Sequence, residues 1–445
     1  MILQNWWYTT LLDILEPMQP PLKDHVQADI VVVGGGMAGL STALRCTKSG
    51  HRIVLLERNI CGGSSTGKSA GFLTPDSELD LSQLIRRFGA LGARDLWDVP
   101  VRGIKLITDT VKRYGIKCDL LKQDSLFLGK GASGRKTTQE EVSAREQLGL
   151  RQTFYPADKL TEVIGSEGYS GAVRYADTYG INALRYAQGI KHVLLDHGVR
   201  IFESSEVRGI KDHTVYTHLG SVTASEIIIC ADKPQLSLTK FSDHVYHAQT
   251  FLAVSEPLKD QEIQQLFPDQ PLQCWDSDLV YTYFRLTGDQ RLLVGGGSLL
   301  STFSLHYVTS PRVITRVIHS FKEKFPFLND LEFIQYWPGF IDSTRDLLPT
   351  VLQDEHSPWI HYILGCVGLP WAAFCGDFVA RRVTEPANYD DHHYYRYFTV
   401  NRPFLFPLWM ERFLGKPLVF TMNNAWAMYC QVDQGWNILD KPGSL

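Results

Sequence analysis

The sequence predicts an α/β protein, and three observations carry that prediction. A short apolar, β-branched run from Asp29 to Val33 ends in glycines, then a helical stretch leads to a second apolar run, Arg52 to Glu57. Strand, glycine turn, helix and strand make one βαβ unit. A second αβ unit lies mid-chain, where Ile181, Leu184, Ala187, Ile190 and Leu194 recur at helical spacing and Val199–Phe202 follows. Between that unit and a last buried strand, Trp359–Leu364, residues 244–300 read as longer antiparallel strands. The architecture is therefore a Rossmann-type domain built from discontinuous segments, with an antiparallel β-sheet plus helices inserted as a second domain.

Taken in order, residues 1–27 are an arm with a proline-rich end at Pro17, Pro20 and Pro21. The run at 29–33 is a buried parallel strand. Helix Met37–Ser49 stops at Gly50, a natural residue for the left-handed end of a helix. The mid-chain helix ends at Gly198, and strand-like pieces lead on to Glu226–Cys230. His247–Ser255, Leu279–Leu286 and Arg291–Gly296 are the antiparallel strands, the last two joined by Thr287-Gly-Asp-Gln290. The final strand runs through glycines into a helix at 370–383. The dinucleotide domain then comprises 28–85, 173–235 and 336–385, the substrate domain 86–172 and 236–335, and an aromatic-rich extension 386–445.

Composition excludes several classes. At 44% hydrophobic and 21% charged residues the chain is neither disordered nor fibrous. A net charge of −4 and no long basic run argue against a nucleic-acid partner. The 8 cysteines form no C-x-x-C pair, so zinc and dithiol chemistry are not expected. His244-x-x-His247 and His392-His393 lack the acids or thiols that complete a metal site. The first ten residues have no basic segment followed by an apolar one, so a signal peptide is not expected. No uncharged apolar run approaches about 20 residues. A reducing cytoplasm is the expected compartment, with contact at the inner membrane left open by the extension.

The chemistry begins at Gly34-Gly-Gly36-Met37-Ala38-Gly39, a G-x-G-x-x-G between strand and helix. Its glycines allow a tight turn, approach of a pyrophosphate, and close helix–strand packing. The helix end offers free N–H groups to phosphate. Glu57 ends the next strand, with Arg58 beside it, where a carboxylate accepts both ribose hydroxyls of an adenosine. No second G-x-G-x-x-G exists for a nicotinamide. Instead Gly365-Cys-Val-Gly368-Leu369-Pro370-Trp371 opens the late helix and suits a flavin ring carbonyl. Gly62-Gly63-Ser64-Ser65-Thr-Gly-Lys68-Ser69-Ala70-Gly71, straight after Glu57, has the small and hydroxyl residues to wrap a phosphate or ribityl chain. Lys68 would stabilise charge on a reduced flavin.

These motifs together resemble the D-amino-acid-oxidase-like family of FAD-dependent amine oxidoreductases, with a glutathione-reductase-like fold. Gly63-x-Ser65 with Ser69-Ala-Gly71 is similar to the family's flavin loop, with Lys68 where Arg is usual and one extra residue. Asp177–Val207 resembles the segment reaching the adenine, which implies that Val207 lies there. Asn182 replaces a common proline, and Ala231-Asp232 departs from Ala-Gly. Tyr283–Gly297 and Trp337–Pro349 resemble the γ-glutamylputrescine oxidase branch. The resemblance covers about residues 25–385.

It implies noncovalent FAD, because no Cys occupies the place in the Arg345-Asp346 segment where some members attach flavin, and it puts Arg345 among the cofactor-binding residues. It implies oxidation of an amine or amino acid at the C–N bond by hydride transfer to flavin N5, followed by hydrolysis of the imine. Tyr281, Tyr283 and Arg285 would share the strand face over the flavin, the tyrosines caging the amine and Arg285 pairing with a carboxylate. Strand Arg291–Val294 lacks the lysine that assists oxygen in some members, so the acceptor is oxygen or a quinone. The alternatives are a quinone-linked dehydrogenase of D- or N-alkyl amino acids, and a flavin-stabilised binding protein without turnover. For the extension three roles stand: packing on the enzyme's own surface, joining subunits, or touching a membrane.

Overall fold

The computed structural model describes residues 1–12, 17–76, 79–232, 238–278, 280–297, 307–386, 391–400, 402, 406, 408–415 and 418–422. Among them the strands form three sheets. In the first, Arg200–Phe202, Ile53–Leu56, His25–Val33, Ser221–Ile229 and Ile360–Leu364 lie side by side in parallel. Alternation divides its side chains. Ile30, Val32, Ile53 and Leu55 pack under the helices Met37–Cys46, Ala183–Asp196 and Leu369–Thr384. Val31, Val33, Val54 and Leu56 face the opposite layer, with Val207, Val215 and Val222. Both faces are covered, which is why these strands read as unbroken apolar runs.

The second sheet has nine strands in the order Ile2–Leu3, Phe333–Ser343, Tyr246–Pro257, Arg291–Gly296, Tyr283–Leu286, Leu272–Asp276, Asp124–Gly129, Gly171–Tyr175 and Thr153–Pro156. One face packs against helix Arg312–Lys324 through Phe284, Phe321 and Phe325. The other carries Leu252, Val254, Leu293 and Trp337, which meet Trp7, Ala70 and Leu184. The dinucleotide motif and this sheet are thereby pressed together across the glycine-rich loop. A small third sheet joins Phe72–Leu73, Tyr179–Gly180 and Leu121–Lys122.

Several boundaries differ from the sequence reading. Phe333–Ser343 pairs with Tyr246–Pro257 along its length, from Phe333↔Ser255 to Ser343↔Tyr246. The start of segment 336–385 therefore belongs to the nine-stranded sheet, as does Gly171–Tyr175 at the start of 173–235. The mid-chain helix begins at Ala183 because the Asn182 side chain accepts from Arg185 N at 3.1 Å. That cap gives a local reason for Asn182. The strand expected over 279–286 is only Tyr283–Leu286, and residue 279 lies outside the described residues.

The arm is part of the fold. Ile2 and Leu3 pair in parallel with Gln335 and Tyr336, and a short helix, Trp6–Thr9, follows. The described part of the extension packs back on the protein. Arg396 and Tyr397 reach Asp95, Arg402 reaches Asp346, and Glu411 reaches Arg345. Phe404 and residues 423–445 lie outside the described residues. Among the described residues no helix is long and apolar enough to cross a membrane.

Candidate active site

A cavity of about 1170 Å³ runs between the parallel sheet and the nine-stranded sheet. Gly34, Gly36, Met37 and Ala38 line its inner end. At Gly34 φ is +108°, and a Cβ there would stand 2.8 Å from Cys230 O. A Cβ on Gly39 would stand 1.9 Å from Gly34 O, so Gly39 serves helix–strand packing and not the lining. Gly36 begins helix Met37–Cys46 without a side-chain cap. Gly368 begins Leu369–Thr384 in the same way, with φ +91°. Gly365, Gly368, Leu369 and Pro370 line the cavity too, so two helix N-termini converge on one space. Trp371 does not line it; it is buried in the helical core.

Glu57, at the end of Ile53–Leu56, accepts from Gly35 N at 2.7 Å and Asn59 N at 2.8 Å. Burial pushes its carboxyl up, and the two amides work against that. Val207 and Ser205 close this end. Asp232 is the residue the sequence reading passed over. It accepts from Arg58 at 2.7 Å, Ser64 at 2.5 Å and Ser65 at 2.8 Å. The departure of Ala231-Asp232 from the family's Ala-Gly was the signal for it. Asp232 joins Arg58 and the start of the glycine-rich loop in one polar wall.

Ser64, Ser65, Thr66, Lys68, Ser69, Ala70 and Gly71 line the cavity, whereas Gly63 does not. The Lys68 ammonium lies 3.4 Å from the Tyr307 hydroxyl, and burial lowers its pKa. Tyr281 and Tyr283 line the far end with Phe127 and Trp275. Trp275 stacks on Phe127 at 6.1 Å, and Tyr281 and Tyr283 are 5.7 Å apart.

Besides Gly39, Gly63 and Trp371, two further expected site residues stand elsewhere. Arg285 is 1% exposed and does not line the cavity. Its guanidinium donates to Ala70 O at 2.6 Å, Ile181 O at 2.7 Å and Leu286 O at 2.7 Å. It shares the strand face with Tyr283 but lies beneath the loop, where carbonyls satisfy it. Arg345 likewise leaves the lining. Its Nε is 2.9 Å from Glu411, and Tyr246 bonds the same carboxylate. Of the two cysteines nearest the glycine turns, Cys61 is buried and its thiol is pushed well up by burial and by Glu203. Cys366 lines the cavity. Among the described residues no group of three or more His, Cys, Asp or Glu is placed to hold a metal.

Residues 29–382 match the DAO family, described as FAD dependent oxidoreductase. The chain belongs to that family. It is 28% identical over 375 residues to γ-glutamylputrescine oxidoreductase of Escherichia coli (strain K12), covering 82% of this chain and 84% of that one. It is 26% identical over 359 residues to the probable oxidoreductase OrdL of Haemophilus influenzae, covering 78% and 80%. A solved glycine oxidase from Geobacillus kaustophilus shares the fold at a TM-score of 0.73 and 17% identity, over 85% of this chain and 99% of that one. A solved L-proline dehydrogenase from P. horikoshii does so at 0.70 and 16%, over 85% and 98%.

The protein is thus an FAD-dependent enzyme, and the cavity fits that cofactor. Two uncapped helix ends suit its pyrophosphate and ring carbonyl. A buried carboxylate, Glu57, stands at the strand end where it would be placed to hold a ribose. The loop 63–71 presents hydroxyls and small residues between them.

Proposed function

We propose that this enzyme oxidises the C–N bond of an amine whose remaining groups are cationic or neutral. The observation that carries this reading is the aromatic and acidic far end of the cavity. Phe127, Trp275, Tyr281 and Tyr283 form apolar walls, and Asp76 and Glu140 line the space beside them, as does Asp80, whose carboxyl is pushed up to about 7 by burial and Glu141. Tyr175 donates toward Asp76 at 3.4 Å and sits edge-on to Trp275 at 5.8 Å, so the two features are joined. Arg86 and Lys136 face Glu140 at 3.5 and 3.6 Å and compensate part of the negative charge. Arg285, the candidate partner for a substrate carboxylate, is consumed by backbone carbonyls. An ammonium gains from the ring faces and the carboxylates, whereas an α-carboxylate meets repulsion there.

The parallel-sheet segments hold the cofactor, and the nine-stranded sheet roofs the substrate. FAD held there would supply the hydride acceptor for the carbon that bears nitrogen. The chain's own residues orient that carbon with Tyr281 and Tyr283, exclude water with Trp275 and Phe127, and keep a cation, Lys68, at the cavity wall. The likeness to γ-glutamylputrescine oxidoreductase supports an amine substrate. A panel of diamines, monoamines and amino acids added anaerobically tests this. Diamines should bleach the flavin band fastest. Bleaching by α-amino acids and not by amines would reverse the reading.

A quinone acceptor has one observation in its favour: strand Arg291–Gly296 brings no lysine to the cavity, and Arg291 itself lies over the Trp6 ring at 4.3 Å. Peroxide yield compared with quinone reduction under the same turnover separates oxidase from dehydrogenase.

A further inference from the structure

The glycine-rich loop is held from behind. Four successive carbonyls each accept from a side chain outside the loop. Gly67 O accepts from Asn5 Nδ2 at 2.7 Å, and Lys68 O from Trp337 Nε1 at 3.0 Å. Ser69 O accepts from Trp7 Nε1 at 2.9 Å, and Ala70 O from Arg285 Nε at 2.6 Å. Further up the loop, Gly63 O accepts from the Tyr8 hydroxyl at 3.1 Å. Three of these donors, Asn5, Trp7 and Tyr8, belong to one short helix and its cap, outside the family match at 29–382.

The donors are themselves fixed. Asn5 caps the helix through Oδ1 to Trp7 N at 3.1 Å, which leaves its amide N–H to reach Gly67. Trp7 is 2% exposed and packs edge-on to Trp337 at 6.3 Å. Ile2–Leu3 is tied to the nine-stranded sheet at Gln335 and Tyr336. Beyond the helix, Thr10 O accepts two bonds from Arg185, at 2.7 and 2.9 Å. The arm therefore spans from the roof sheet to the mid-chain helix and touches the loop's carbonyls on the way.

We propose that residues 2–10 are a positioning element of the cofactor site. By engaging the carbonyls on the outer side, they turn the loop's hydroxyls and the Lys68 side chain toward the cavity. Without these donors the loop keeps its sequence but loses the single conformation that FAD meets, and binding must then include the cost of ordering it. The arm acts through the loop and touches no reacting atom, so the proposal holds for any substrate.

Asn5→Ser retains a side-chain oxygen for the helix cap and withdraws the amide donor to Gly67 without adding a charge. Trp7→Phe retains the buried ring and removes only the donor to Ser69. Trp6→Ala removes an arm side chain that makes no hydrogen bond to the loop and serves as the structural control. For each, the dissociation constant of FAD from apoprotein and the near-UV and visible circular dichroism of bound flavin are measured beside the apoprotein melting temperature. The expected result is FAD affinity weaker by on the order of tenfold in the first two variants, with altered flavin dichroism and apoprotein melting within the range of the control. FAD affinity and dichroism equal to those of the control, whatever the melting temperature, would overturn the proposal.

Discussion

The two ends of the chain, both outside the family match, grip the same core by different chemistry. The arm's bonds to the loop are neutral, from an amide, an indole and a phenol, and they end on backbone carbonyls. The extension relies on charge and ends on side chains, save that Arg402 also donates to the carbonyls of Leu348 and Pro349. Asp391 pairs with Arg102 and Arg381, Arg396 with Asp95, Arg402 with Asp346, and Glu411 with Arg345. A bond to a carbonyl specifies a backbone conformation, whereas a bond between side chains specifies a docking. The arm therefore shapes the site, and the extension is fastened over it, with Phe420 and Thr421 lining the cavity. The first grip is indifferent to salt and pH, and the second is not.

The strongest test of this contrast is Arg402→Met. Arg402 and Asp346 are each 3% exposed at the side chain, and Arg87 approaches the same carboxylate at 2.8 Å. Breaking such a buried pair should cost about 3–5 kcal/mol in urea unfolding, toward the lower value because Arg87 remains. A loss under about 1 kcal/mol would break the idea that charge fastens the extension. Next comes Trp337→Phe, which removes a loop-carbonyl donor that lies in the sheet and not in the arm. It should weaken FAD binding by about 1–3 kcal/mol, read by titrating apoprotein. An effect matching Trp7→Phe would show that the carbonyl matters, whichever element supplies the donor.

Acid should loosen the extension and spare the arm. Burial alone would raise the Asp346 pKa, but Arg402 and Arg87 hold it down to about 2. A depressed carboxylate contributes its stability above its unfolded value of about 3.9 and loses it as pH falls through its folded value. The stability difference between the parent and Arg402→Met should therefore be constant above about pH 4 and shrink between about pH 4 and 2. Glu411→Gln should cost about 1–2 kcal/mol, since Gln still bonds Tyr246 but no longer neutralises Arg345; a cycle with Arg345→Met measures the coupling. The smallest effect belongs to Trp409, which is 61% exposed beside Phe413 at 81%. Trp409→Ala should change stability by under about 0.5 kcal/mol, and a larger loss that grows with protein concentration would mean that another surface covers it.

The cofactor half of the cavity was legible because each of its features is local. Strand 29–33, the glycines at 34, 36 and 39, and Glu57 lie within one βαβ unit, so period and spacing reveal them together. The same holds for Gly368 opening its helix. The substrate half was less legible because its walls come from distant strands. Phe127 stands beside Trp275 only through a parallel pairing across the sheet, and Trp275 beside Tyr283 only through an antiparallel one. Arg285 was misread because strand alternation gives its face and not its depth. The face was that of Tyr283, yet the loop at Ala70 and Ile181 comes between Arg285 and the cavity. The arm was invisible as a functional element because hydrogen bonds to carbonyls leave no pattern in the residues that accept them.

The parallel pairing of Ile2–Leu3 with Gln335 and Tyr336 also sets an order of events. Ile2 and Leu3 have their sheet partner more than three hundred positions later in the chain, so they leave the ribosome long before it and wait unpaired. The βαβ unit that carries the phosphate-binding glycines completes itself early. Its loop can reach its final shape only once the strand containing Tyr336 has emerged and the arm has returned to it. Cofactor uptake is then expected only after Phe333–Ser343 has been made, and an FAD-loaded fragment lacking that strand should not accumulate.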